Sequence, residues 1–169
     1  MDDERDAALA QAVRLREEGQ AARARERLLD LTERYPEDAE IAYQTAWAHD
    51  VLGLEAEAVP FYERALTGSG LSADDRHGAF LGLGSTYRVL GRYDLARATL
   101  RRGLEEFPGD AALTAFLAMT SYNLGESRDA VAGLLKALAA TSDDPRVQGY
   151  RRAIEYYADH LDEITPGSL

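Results

Sequence analysis

The chain has 169 residues and a mass of 18.6 kDa, enough for one domain with a sizeable buried core. It contains no cysteine, which excludes a disulfide scaffold, a thiolate zinc site, an iron–sulfur cluster and a cysteine nucleophile. Thirty acids against nineteen bases give a net charge of −11, so nucleic acid and anionic membrane surfaces would repel it. No apolar run is long enough to span a bilayer. The opening MDDERDAALA lacks the basic and apolar regions of a signal peptide, so a cytoplasmic protein is expected.

Four glycines fall at matching places: Gly19, Gly53, Gly91 and Gly125, spaced by 34, 38 and 34 residues. Five positions after each stands an alanine: Ala24, Ala58, Ala96 and Ala130. Nine after each stands a large apolar residue: Leu28, Tyr62, Leu100 and Leu134. Seven before each stands a small one: Ala12, Ala46, Gly84 and Ala118. Leu52, Leu90 and Leu124 precede three of the glycines, and Pro36 and Pro108 close two of the units. So many columns mark an internal repeat built from helical hairpins. Each glycine ends an amphipathic helix at positive φ. The small columns let the two helices of a pair approach, the large columns fill the space between pairs, and proline stops the second helix. A single hairpin cannot bury its own apolar face, so hairpins stack on a shared core.

The expected units run from about 5–38, 39–76, 77–110 and 111–144, within a single domain over 1–169. The first departs most, although Gly19, Ala24, Leu28 and Pro36 keep the frame. In the second, Pro60 removes about one backbone hydrogen bond near the first turn of its helix. Four extra residues fall in the loop TGSGLSADD after Leu66, where Ser72 and Asp75 read as a capping pair. That loop is a tolerated surface insertion or a functional one. The tail begins at Asp144-Pro145, an N-cap followed by a first-turn proline. Tyr150, Ile154, Tyr157 and Leu161 then recur at helical spacing, giving one more helix over about 145–164, ended by Thr165-Pro166-Gly167. It serves as the cap that a stack needs, or, with Tyr150, Tyr156 and Tyr157, as a dimerisation helix.

Reactive constellations are missing from the pattern. Gly82-x-Gly84 has no third glycine and no preceding strand, and Lys136 is the only lysine, so no phosphate loop is present. His49 falls on the inner face of its helix as a packed residue, His77 opens a helix, and His160 lies in the tail. The acidic pairs Asp74-Asp75, Glu105-Glu106 and Asp143-Asp144 read as caps and solvated helix ends favoured by the helix dipole. Arg101-Arg102 and Arg151-Arg152 read as solvated faces. No catalytic residue, cofactor or metal ligand is expected, and the chain is not expected to be an enzyme.

The unit resembles the tetratricopeptide repeat. The segment HGAFLGLGSTYRVLGRYDLARATLRRGLEEFPGD, residues 77–110, carries Leu83, Gly84, Tyr87, Gly91, Tyr93, Ala96 and Pro108 where that family expects such residues. The resemblance implies an all-α, right-handed superhelical solenoid of about four helix–turn–helix repeats plus a C-terminal capping helix. It also implies a scaffold that binds protein or peptide partners. Arginine outnumbers lysine eighteen to one, the bias of a GC-rich, bacterial coding sequence.

The family likeness further places the first helices of successive units on the concave side. The groove columns are then Leu9, Tyr43, Leu81 and Ala115; Val13, Trp47, Ser85 and Met119; and Arg16, Asp50, Arg88 and Tyr122, with Asn123 beside the last. Some members of the family grip a peptide's terminal carboxylate with groove lysines, arginines and asparagines. Here the two leading columns hold none, and Arg16, Arg88 and Asn123 come late along their helices, so that clamp is not expected. The columns suit an apolar or amphipathic helix, or an extended peptide with aromatic anchors. The alternatives are a homodimer that self-associates through groove and tail, or a Trp47 that is plain core.

Overall fold

Glycine-ended helices following one another in pairs account for the whole architecture. The computed structural model describes residues 2–164, and among them every regular element is helical. Four hairpins come first: α1 (Asp2–Glu17) with α2 (Ala21–Arg34), α3 (Ala39–Val51) with α4 (Glu55–Thr67), α5 (Ala73–Val89) with α6 (Tyr93–Glu106), and α7 (Ala111–Asn123) with α8 (Ser127–Thr141). The tail adds α9 (Pro145–Gly149) and α10 (Arg151–Asp159). Each helix packs on the next through α8, and α10 packs back on α8. The chain is an all-α solenoid of four helix–turn–helix repeats with a capping element.

Two kinds of junction alternate. Within a hairpin the turn is a glycine C-cap: Gly53 sits at φ +71°, its N–H bonds Asp50 O at 3.0 Å, and Leu54 N–H bonds His49 O at 3.0 Å. A Cβ at Gly53 would meet nothing within 4 Å, so backbone conformation and not space requires glycine there. Between hairpins the next helix carries a side-chain cap. Asp38, Ser72, Asp110 and Asp144 accept from the N–H of Ile41, Asp75, Leu113 and Arg146. Ser72 Oγ also donates to Asp75 Oδ2 at 2.9 Å, which makes the expected capping pair reciprocal. At the first junction Arg5 forks onto Asp38 at 2.8 and 2.9 Å and reaches Glu40 at 2.7 Å. Burial works to raise the Asp38 carboxyl, but Arg5 and the Ile41 amide hold it below the usual carboxylate range.

Four expectations change in detail. α5 begins at Ala73, so His77 lies one turn inside it and does not open it. Glu105 and Glu106 sit at the C-terminal end of α6, where the dipole does not favour acids. Glu106 is held by the Arg76 guanidinium of α5 instead. The tail is two helices, because the backbone leaves helical geometry at Tyr150 (φ −106°, ψ 7°) beside the poor helix former Gly149. α10 stops at Asp159, ahead of Thr165-Pro166-Gly167, which lies outside the described residues. The inward face of α10 carries Ala158 and the half-buried Ile154, Leu161 is half-buried just past its end, and Tyr150 at its cap and Tyr156 and Tyr157 point to solvent.

The small columns are the closest-packed part of the fold. Ala12, Ala46, Ala24, Ala58 and Ala96 are fully buried. At Gly84 an added Cβ would stand 2.5 Å from Leu100 Cγ, so α5 and α6 approach as closely as backbone and leucine allow. The main core joins α3 to α6 with Leu113 of α7, and a second cluster joins α1, α2 and α3. Odd-numbered helices also touch the next odd-numbered one, α1 to α3, α3 to α5 and α5 to α7, whereas no two second helices of these hairpins pack to a comparable extent. The array therefore curves with α1, α3, α5 and α7 on its inner side.

Gly84→Ala is expected to destabilise the chain by about 1–3 kcal/mol, because overpacking against Leu100 outweighs the gain in helix propensity. Gly149→Ala, where a Cβ meets nothing, is expected to stabilise by about 0.5–1 kcal/mol. Urea unfolding of the two variants against wild type checks both signs.

Candidate functional site

α3 presents Tyr43, Trp47 and Asp50 on one face, each about a turn from the next, and α5 lies opposite. Between them lies a cavity of about 490 Å3, lined also by Tyr62 of α4 and by Leu81 and Ser85 of α5. Its shape depends on two residues without side chains. A Cβ at Gly78 would fall 2.2 Å from Tyr43 Oη, and one at Gly82 would fall 2.5 Å from Tyr62 Oη. The glycines thus form the slot into which both tyrosines lie, at a cost of about 1 kcal/mol each in helix stability.

Tyr43 is 5% exposed and Tyr62 only 2%, while Trp47 keeps 38% of its surface in solvent. The Tyr43 and Trp47 ring centroids are 5.7 Å apart and tilted by 42°. Burial raises the Tyr43 hydroxyl to about 12. Tyr62 is raised further, by burial and then by the carboxylate it faces. Arg16 of α1 lays its guanidinium over Trp47, 3.5 Å from the ring centroid, and donates to Gln44 Oε1 at 3.1 Å. Its Nε is buried without a partner, and burial lowers its pKa.

Asp50 ties three helices together. Tyr62 Oη of α4 donates to Oδ2 at 2.7 Å, and Thr86 Oγ1 of α5 donates to the same carboxylate at 3.0 and 3.1 Å. Burial pushes the carboxyl above the usual range, and these two donors pull against it.

The remaining sequence-derived residues divide between two further depressions. Arg88, Met119, Tyr122 and Asn123 line one of about 480 Å3, together with Val131 and Leu134 of α8. Arg88 Nη1 donates to Asn123 Oδ1 at 3.3 Å. Leu9 and Val13 line the other, beside Arg5, Asp6, Glu40 and Asp75. Leu9 and Tyr43 are core side chains whose edges reach the groove, and Ala115 is half-buried. The groove-column residues therefore share the inner side of the array without forming one continuous site.

His49 is buried, with Nδ1 2.7 Å from Thr45 O and its ring stacked on Phe61, a structural arrangement. His77 faces Asp110 and Phe107, and His160 stacks on Tyr156, so the three histidines stay apart.

The sequence columns missed Gly78, Gly82 and the inner role of Tyr62. The readable signal was a tyrosine in a column of leucines, since a buried hydroxyl needs a partner and Asp50 is the one carboxylate in the third groove column. Leu134 departs from its column. Leu28, Tyr62 and Leu100 are at most 2% exposed, but Leu134 is 46% exposed. The others are covered by the first helix of the next hairpin, whereas among the described residues α8 is covered, outside its own hairpin, only by α10.

A sequence model of the family described as Tetratrico peptide repeat matches residues 39–161. The match begins at the first residue of α3 and leaves out α1 and α2, the unit with the weakest columns. No curated protein matches the chain. Among solved structures, a chain of the APC/C hetero-tetramer Cut9–Hcn1 aligns with TM-score 0.73 and 18% identity, over 91% of this chain and 29% of that one. This chain thus spans less than a third of that relative. PilF of Pseudomonas aeruginosa aligns with TM-score 0.69 and 19% identity, over 94% of this chain and 71% of that one. A MamA RS-1 double mutant aligns with TM-score 0.67 and 16% identity, over 95% and 97%. At these identities the likeness is one of fold.

The raised Asp50 carboxyl sets the sign of a pH test. A folded-state pKa above the unfolded one contributes stability below the ordinary aspartate value, and that contribution is lost as pH rises through the folded value. Asp50→Asn keeps an acceptor for Tyr62 and Thr86 and removes the charge. Its melting temperature relative to wild type is expected to climb between about pH 3 and pH 7. A constant difference over that range refutes the assignment.

Proposed function

The chain belongs to the tetratricopeptide-repeat family, and on that premise we propose that it is a non-enzymatic scaffold holding a peptide or helix of another protein along its inner face. The repeat fold is generally a protein–protein interaction scaffold. The observation that carries the reading is Trp47, the only tryptophan, half open to solvent above a cavity that Tyr43, Tyr62 and Leu81 help to line. A rigid aromatic on a concave, part-desolvated surface is what binding hot spots are made of. The tail supports an open groove, since α10 packs on α8 and not across α3 and α5. Among the described residues no helix is long and apolar enough to cross a membrane, and no cluster of three or more metal-ligating side chains occurs.

A second reading rests on the far end of the array. Val131, Leu134 and Leu138 form an exposed apolar stripe on α8, with Tyr122 and Tyr150 also exposed. Burial of this face between two copies would make a homodimer. Charge works against it, because each copy carries −11.

Trp47→Ala is expected to weaken binding of the partner peptide at least about tenfold by calorimetry, with helicity retained. Tyr43 is left intact in this variant, because its ring is buried against α5 and its loss would test the core instead. Unchanged affinity sinks the groove reading. Light scattering addresses the second reading: a concentration-independent dimer that Leu134→Glu converts to monomer supports it, and a wild-type monomer removes it.

A further inference from the structure

We infer that the cavity between α3 and α5 takes a cationic side chain, an arginine or lysine of a basic peptide segment, with Asp50 as its counter-charge, Trp47 flanking it and Leu81 meeting the apolar residue beside it. The inference rests on the groove reading above and gives that groove a partner chemistry.

Asp50 is the only acidic or basic side chain, apart from His77, among the residues that line the cavity. Among the described residues no lysine, arginine or histidine forms an ion pair with it. Tyr62 and Thr86 give it hydrogen bonds but no charge, and Oδ1 accepts only from Thr86. A carboxylate oxygen accepts two hydrogen bonds, so acceptor capacity remains on a part-buried anion without a cation. Such an arrangement is costly unless something supplies the missing charge.

The aromatic wall already shows what it holds. Arg16 makes no ion pair among the described residues, is driven down in pKa by burial, and still lies 3.5 Å above the Trp47 ring. A guanidinium stacks there without an ion pair to fix it, which is the behaviour of an aromatic surface that favours cations.

The charge around the cavity has the matching sign. Toward the N-terminal ends of the inner helices a separate depression on the same side bears Asp6, Glu40 and Asp75. The one cation there, Arg5, is already shared among Asp6, Asp38 and Glu40. The arginines one unit to either side of Asp50 in its column are engaged as well, Arg16 with Trp47 and Gln44, Arg88 with Asn123. An acidic segment would meet like charge along this stretch, and a basic one would meet its complement.

The test is selection from a random peptide display library by three baits: wild type, Trp47→Ala and Asp50→Asn. Peptides that wild type enriches over Trp47→Ala are expected to carry arginine or lysine next to an apolar residue. One such peptide is then synthesised with its arginine and with glutamine in that place, and each form is titrated while following Trp47 fluorescence. The glutamine form is expected to bind at least about tenfold more weakly to wild type, and the difference is expected to vanish with Asp50→Asn. Comparing the two peptides on wild type needs no folded variant. Enriched peptides that are acidic or neutral, or an arginine preference that Asp50→Asn keeps, overturn this inference and leave the groove reading standing. If no peptide is enriched, or Trp47→Ala enriches the same ones, both readings fall.

Discussion

Each of the first three hairpins in this chain depends on the following one to cover it. The second helix of a pair turns one apolar face toward its own partner and another toward the first helix of the next pair, and only the stack closes both. The gradient of burial along the array follows from this. Leu28 and Leu100, with a hairpin after them, are wholly buried, while Leu134, followed only by a broken tail, is not. The tail packs on α8 through Ala158, with Ala139 of α8 also buried, and leaves the Val131–Leu138 stripe in solvent. The open apolar surface at the end of the array is thus a consequence of position in the stack, since the residue type is that of its buried column mates.

The same constraint shapes the groove. Stacking brings α3, α4 and α5 together, and the two glycines of α5 leave space where side chains would otherwise meet Tyr43 and Tyr62. Tyr62 then reaches Asp50, which also takes the Thr86 hydroxyl, so one carboxylate links three helices across a hairpin boundary. Rigidity and exposure are combined here. The walls are fixed by buried hydrogen bonds and close contacts, while Trp47 stays accessible above them. A surface organised in this way loses little conformational entropy when it binds.

Charge divides the inner side unevenly. Acids gather on the N-terminal part, near Asp6, Glu40, Asp50 and Asp75, whereas Arg88, Met119, Tyr122 and Val131 make the C-terminal depression apolar with a single arginine. The two regions offer different chemistry, and the exposed glutamates, aspartates and arginines of the outer side add screened charge of little directional value.

Much was readable from the sequence because its cause is local. Gly53 must follow a helix at positive φ, Asp38 and Asp110 must accept the first amides of the next helix, and Ala46 and Gly84 must be small where two helices meet. These requirements act through neighbours along the chain or through a column repeated every unit, so a single sequence displays them. Tertiary structure alone decided the rest. Leu134 and Leu100 hold equivalent columns, and only the number of hairpins that follow sets which one is buried. Trp47 and Tyr43 stand one turn apart on a helix, and only the placement of α1, α4 and α5 around them makes one an exposed platform beneath Arg16 and the other core. Periodicity marks the face of a helix that can be buried, but how far each residue on that face is covered is set by what packs from elsewhere in the chain.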